Sequence, residues 1–341
     1  MMCYKKIGTA VVLLAFFALT GCASVSSLIS TSKNAPVAIN PISGHEGVSG
    51  PILVVKIDDT PEAHPQIGLE DADCVYIEQV EGGLTRLAAV FSSRIPEEIG
   101  PVRSARISDI DLLAQYGKVA FAYSGAQKKL LPVISASGVL DLGAQHESSL
   151  IYTRDPNRVS PVDMVLRGKD LMKKLDTQGV TIATAKKMGW SFSSELTGGK
   201  IIKSVKMNWP ANSYSAEWSD TQSRWLLSHH GASDVSASGE ILGPTTLVIQ
   251  IVSIIDSTYH DKVGGITPLS ITVGSGQGFI LRNGKSFAAR WIRPNAQEQT
   301  TWTLEDGNPL PFAPGQIWVA LVASAPDFIY PAESASPAPT K

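Results

Sequence analysis

Arg103 and Arg106 lie within Gly100-Pro101-Val102-Arg103-Ser104-Ala105-Arg106, where a stiff proline approach would hold both guanidinium groups near the start of a helix. A guanidinium presents a planar fork of donors that matches carboxylate or phosphate. If the two converge, they clamp an anion; ion pairs to Asp109, Asp111, Glu97 or Glu98 would consume the same donors instead. Glu81-Gly82-Gly83-Leu84-Thr85-Arg86 is a second candidate, because consecutive glycines allow a tight connection that exposes Glu81 and Arg86. A β-hairpin turn uses the same glycines without any ligand. The candidate ligand-binding residues are Glu81, Arg86, Arg103 and Arg106, and no catalytic residue is assigned. In an enzyme, Glu81 would act as base while the arginines stabilise negative charge.

The remaining polar constellations read as structural. Asp58, Asp59 and His64 could approach a cation, but adjacent side chains in an extended segment point to opposite faces, and capping or a solvated turn explains the two aspartates. His146, Glu147, Ser148 and Ser149 read as a surface loop, since catalysis needs a positioned nucleophile, base and orienting group. His229 and His230 read as surface histidines. Asp256 and His260 lie in a stretch that favours strand or loop over a helical face. No metal and no cofactor is expected. Trp209, Trp218, Trp225, Trp291, Trp302 and Trp318 could line a glycan or peptide groove, although their spread over expected strands fits core packing.

These residues must be positioned by strands at Pro51–Ile57, Ala72–Gln79, Thr85–Phe91 and Val119–Tyr123, with helices over Arg106–Tyr116, Leu130–Ser137 and Met164–Leu175. Beyond Ile201 the chain turns to short alternating or β-branched stretches separated by glycine turns, and Asn283-Gly284 signals a hairpin. The fold class is an α/β N-terminal domain, 42–190, followed by a predominantly β C-terminal domain, 191–330. Segment 331–341, rich in Pro, Ala and Ser, reads as a flexible tail.

At the N-terminus, Lys5 and Lys6 precede the apolar run Ile7 to Leu19 and then Leu19-Thr20-Gly21-Cys22. This resembles a bacterial lipoprotein signal peptide, 1–21, with Cys22 carrying the lipid (palmitate) and 22–41 serving as a tether. Removal of residues 1–21 would leave 320 of the 341 residues. Cys74 is then the one cysteine besides Cys22, so no internal disulfide is expected and Cys74 reads as buried. The expected location is the extracytoplasmic side of the cell membrane, lipid-anchored. With 29 Lys plus Arg against 31 Asp plus Glu, the composition disfavours a nucleic-acid binder.

From about Asn40 to Ser324 the chain resembles the YerB-type lipoprotein family, a two-part family described by domains of unknown function. The resemblance rests on Asn40-Pro41-Ile42-Ser43-Gly44, Ile57-Asp58-Asp59, Pro65-Gln66-Ile67-Gly68-Leu69, the Glu81 to Arg86 and Gly100 to Arg106 segments, Gly274-Ser275-Gly276-Gln277-Gly278, Trp291 and Pro314-Gly315-Gln316-Ile317-Trp318. It implies the two-part architecture and carries no reaction. Val162-Asp163 departs from the His-Asn pair that related chains often have there. The expected function is binding or scaffolding toward an anionic envelope ligand or protein, with an envelope carbohydrate- or peptide-processing enzyme as the alternative.

Overall fold

Leu53, Val55 and Ile57 pack into one apolar cluster while Val54 packs into the other, so this strand is covered on both faces and belongs at the centre of a sheet. The computed structural model describes residues 38–47 and 49–331. The expected signal peptide, Cys22, most of the tether and nearly all of the tail lie outside the described residues. Among the described residues, no helix is long and apolar enough to cross a membrane.

In the first half the elements are β1 (Leu53–Asp58), β2 (Cys74–Gln79), β3 (Thr85–Phe91), β4 (Glu98–Ile99), α1 (Ser108–Ala114), β5 (Ala120–Tyr123), α2 (Leu131–Ala136), β6 (Leu140–Gly143), β7 (Tyr152–Arg154), β8 (Met164–Arg167) and α3 (Gly168–Thr177). The second half contributes β9 (Lys200–Ile201), β10 (Ser204–Trp209), β11 (Asn212–Ser219), β12 (Arg224–His229), β13 (Ala232–Ser233), β14 (Thr246–Ile251), β15 (Ile254–His260), β16 (Ile266–Ser270), β17 (Gly274–Arg282), β18 (Lys285–Arg293), β19 (Thr301–Leu304), β20 (Ile317–Val322) and β21 (Asp327–Ile329). Helices thus occur in the first half and strands dominate the second.

The helix expected over Met164–Leu175 is corrected: Met164–Arg167 is a strand paired with β4 and β7, and the helix begins only at Gly168. The short apolar run satisfied either periodicity, and pairing with the nearby β7 and the distant β4 decided it. Gly168 is required at the junction, since a Cβ there would lie 2.7 Å from the Pro96 carbonyl oxygen.

The large mixed sheet runs β19-β18-β17-β14-β20-β2-β3-β1-β5-β6, with β9 added beside β18. β20 lies parallel to both β14 and β2 and joins second-half strands to first-half strands without a break. The expected boundary near residue 190 is packed rather than open: Met188 and Trp190 are buried, and the Trp190 indole donates to the Pro41 carbonyl at 3.0 Å. A five-stranded sheet, β13-β12-β11-β10-β21, shares the apolar cluster on one face of the large sheet, and α1 and α2 pack on the other. Five of the six tryptophans considered above are buried, which places them in the core. Cys74 is buried as well.

Candidate functional site

The period-two alternation of β1 and β3 sends polar side chains from one end of the sheet to opposite faces. Asp58 and Arg86 are register partners, and Arg86 also faces Glu78 across β2. With Lys56 they lie on the α1 side. Asp59 and Thr85, one residue out of phase, bond to each other on the opposite side.

On the α1 side a cavity of about 600 Å³ is lined by Glu81, Arg86, Arg103 and Arg106, the four residues singled out in the sequence. The 3₁₀ turn Glu81–Gly83 leads from β2 into β3; Gly82 and Gly83 have φ of 69° and 75°, so the glycines serve a turn and present Glu81 at once. The segment after Pro101 runs beside β1, with the Arg103 amide donating to the Lys56 carbonyl at 2.8 Å. Arg106 grips Glu81 with Nε and Nη2, both 2.8 Å from Oε2. Arg103 pairs with Asp58, and Thr267 of β16 donates to Glu81. The acids considered as competitors for these arginines are not their side-chain partners. Asp109 instead accepts Lys56 at 2.8 Å and the Arg106 backbone amide at 2.7 Å, while Glu97 pairs with Lys169.

Arg86 is different. It is buried, and its Nη1 donates to the Ser104 carbonyl at 3.3 Å; among the described residues it has no carboxylate within ion-pair distance. Burial pushes its pKa down, and repulsion from Arg106 and Arg103 adds to the effect. Glu81 moves the other way from a simple buried acid: desolvation would raise its pKa, but the Arg106 charge and the hydrogen bonds from Thr267 and Arg106 hold it below the ordinary value. Lys128 and the β15–β16 tip, His260 to Val263, complete the rim. Nothing local in the sequence links that tip to residues 81–106.

On the opposite face His64, Asp59, His229 and Asp234 form a second polar cluster. The surface reading of His229 is corrected: it is buried, while His230 is exposed. His230 has φ of 48° in the β12–β13 turn, which points two adjacent histidines to different environments. His64 Nδ1 lies 3.0 Å from Asp234 Oδ1, and its Nε2 lies 3.5 Å from Asp59 Oδ1. Burial opposes protonation of His64, but Asp234 and Asp59 outweigh it and raise the pKa to about 9. Burial lowers that of His229. Asp59 also accepts the Tyr214 hydroxyl at 2.5 Å.

The other polar candidates stay apart. His146 is exposed near Asp141, and Glu147 pairs with Lys174 at 2.6 Å. Asp256 and His260 are exposed on β15. At the family departure, Asp163 binds Arg154 through both oxygens at 2.8 and 2.7 Å, so the carboxylate fastens β7 to the chain entering β8.

With this geometry in place, two family descriptions account for most of the chain: "Protein of unknown function (DUF3048) N-terminal domain" matches residues 40–181, and the corresponding C-terminal domain matches residues 205–319. The chain belongs to the DUF3048 family. "Putative lipoprotein YerB" of Bacillus subtilis (strain 168) is 25% identical over 319 residues, covering 90% of this chain and 92% of the relative. The crystal structure of YerB protein from Bacillus subtilis superposes with a TM-score of 0.72 at 21% identity, covering 84% of this chain and 97% of that one, which supports the shared fold. The four anion-site candidates lie within the DUF3048 N-terminal segment, whereas Thr267 and the pocket tip come from the C-terminal one.

Proposed function

We propose that this protein is a lipid-anchored binding protein, held at the extracytoplasmic membrane face through Cys22, that takes an anionic envelope ligand between Arg86, Arg103 and Arg106. The observation that carries the reading is Arg86, a buried guanidinium lining the cavity with no carboxylate within ion-pair distance among the described residues. Desolvating an unpaired cation is costly, and a ligand carboxylate or phosphate would supply the missing charge. Glu81 and Asp58 hold Arg106 and Arg103 in place rather than cancelling all three cations. Val80, Leu84, Ala126 and Val263 add apolar wall, so the cavity suits a ligand with an anionic head and a short apolar part, such as the free end of an envelope peptide.

The enzyme reading is weaker on the same geometry. A base needs a carboxylate free to accept a proton near neutral pH, whereas Glu81 is clamped by Arg106 and Thr267.

Calorimetry with a short peptide bearing a free C-terminal carboxylate, its amide and glycerol phosphate tests the binding reading. We expect at least one anionic probe to bind, the amide to bind less well than its carboxylate, and Arg86→Ala to weaken anion binding by roughly 2–4 kcal/mol. Equal affinity for carboxylate and amide together with an unchanged affinity in Arg86→Ala would reject the site.

A further inference from the structure

The histidine cluster on the opposite face is not used by the anion site. Asp59, His64 and His229 each offer one ligand atom, and these atoms lie within 4.8 Å of one another. We propose that they form a divalent transition-metal site of the zinc class, with Asp234 orienting His64 from behind.

Three observations lead there. First, His64 is held in the manner of a ligating histidine: Asp234 Oδ1 engages Nδ1 at 3.0 Å, while Nε2 faces the Gln66 side-chain amide at 3.1 Å and Asp59 Oδ1 at 3.5 Å, so an ion would displace the Gln66 contact. A carboxylate behind the imidazole fixes its tautomer and makes the other nitrogen a better ligand. Second, among the described residues His229 Nε2 is buried without a hydrogen-bond partner, in a residue only 7% exposed. Such a nitrogen carries a desolvation cost that a metal bond would offset. Third, two imidazoles and one carboxylate match the donor set of three-ligand zinc sites, which keep a further position for water or a ligand. A cavity of about 470 Å³ bordered by His64, His229 and His230 provides access.

The rings also define what binding must change. His64 and His229 stack with centroids 4.2 Å apart and planes 14° from parallel. Metal–imidazole bonds lie near the ring plane, so one ring must turn for both nitrogens to reach one ion. His229 is the ring to turn, because Asp234 fixes His64 while His229 Nε2 is unpartnered. The competing arrangement is metal-free, with His64 as an imidazolium bridging Asp59 and Asp234. Because His64 and Asp59 belong to the first half and His229 and Asp234 to the second, a bound ion would also tie the halves together.

The test uses the full chain in detergent, stripped with a chelator and titrated with zinc(II), then with cobalt(II) as a spectroscopic probe. One zinc ion per chain, visible cobalt bands of a four-coordinate site and a zinc-dependent rise in Tm are expected. His229→Gln should abolish the stoichiometric ion and the Tm rise, and Asp234→Asn should weaken affinity by roughly 10–100-fold. Circular dichroism of each metal-free variant separates lost binding from lost fold. Arg86→Ala should keep wild-type zinc affinity, so failure of the anion site and failure of the metal site remain distinguishable. Absence of stoichiometric zinc in the wild type, or unchanged affinity in a folded His229→Gln chain, would overturn the proposal in favour of the imidazolium bridge.

Discussion

Lys56 is fully buried between Glu78 and Asp109, one cation facing two carboxylates beneath the arginine pocket. Burial and the Asp109 charge push the Glu78 pKa up to about 7 despite Lys56, because a single ammonium cannot neutralise both acids. The folded state therefore binds a proton at Glu78 more tightly than the unfolded chain does. The stability from that proton is present below about pH 4.5 and lost as pH rises toward 7. Glu78→Gln should flatten this decline, which chemical denaturation at pH 5 and pH 7.5 would reveal as a smaller difference than in the wild type. Lys56→Met leaves two buried carboxylates without their cation and should destabilise the fold by roughly 3–5 kcal/mol, read from the same denaturation curves.

At the scale of elements, β15 and β16 pair only with each other among the described residues, and an isolated two-stranded ribbon is marginally stable. Side chains tether it to the body: Thr267 donates to Glu81, Gln127 donates to Thr267 at 2.6 Å, and Ser108 accepts the Ser270 amide at 3.0 Å. Thr267→Val keeps the shape but removes a hydrogen bond to a buried charge, worth roughly 1.5–3 kcal/mol. Hydrogen exchange of the β15–β16 amides should accelerate accordingly, while exchange in β1 and β3 stays unchanged. The β17–β18 hairpin contrasts with this ribbon. Asn283 and Gly284 adopt φ of 53° and 70°, the left-handed pair that an Asn-Gly turn favours, so a local signal suffices.

For the whole molecule, β20 determines how the two DUF3048 segments behave. Its pairing with β2 and β14 joins the described residues of both segments in one compact unit. A chain ending at residue 190 would leave the buried edge of β2 without its partner, exposing Tyr76 and Ile77 along an open strand. That fragment is expected to lack a cooperative thermal transition, and the intact chain to unfold in one; calorimetry of both checks this. Two separate transitions in the intact chain would show that the shared sheet does not couple the halves.

The sequence by itself determined features with short-range causes: the strands around β1 and β3, the Asn283-Gly284 reversal, the turn at Gly82-Gly83 and the opposite directions of Asp58 and Asp59. Each follows from backbone sterics or the two-residue period of a strand. Side-chain chemistry also singled out Arg103 with Arg106, and Glu81 with Arg86, as two separate binding candidates. Only the tertiary structure decided that these four line one cavity, that Arg86 alone among its arginines lacks a carboxylate, and that Thr267 supports Glu81 from 186 residues away. The same holds for His229 beside Asp59 and His64, which no local pattern in the chain connects. Strand pairing brings such residues together, and its register depends on burying both faces of a long sheet rather than on any local pattern.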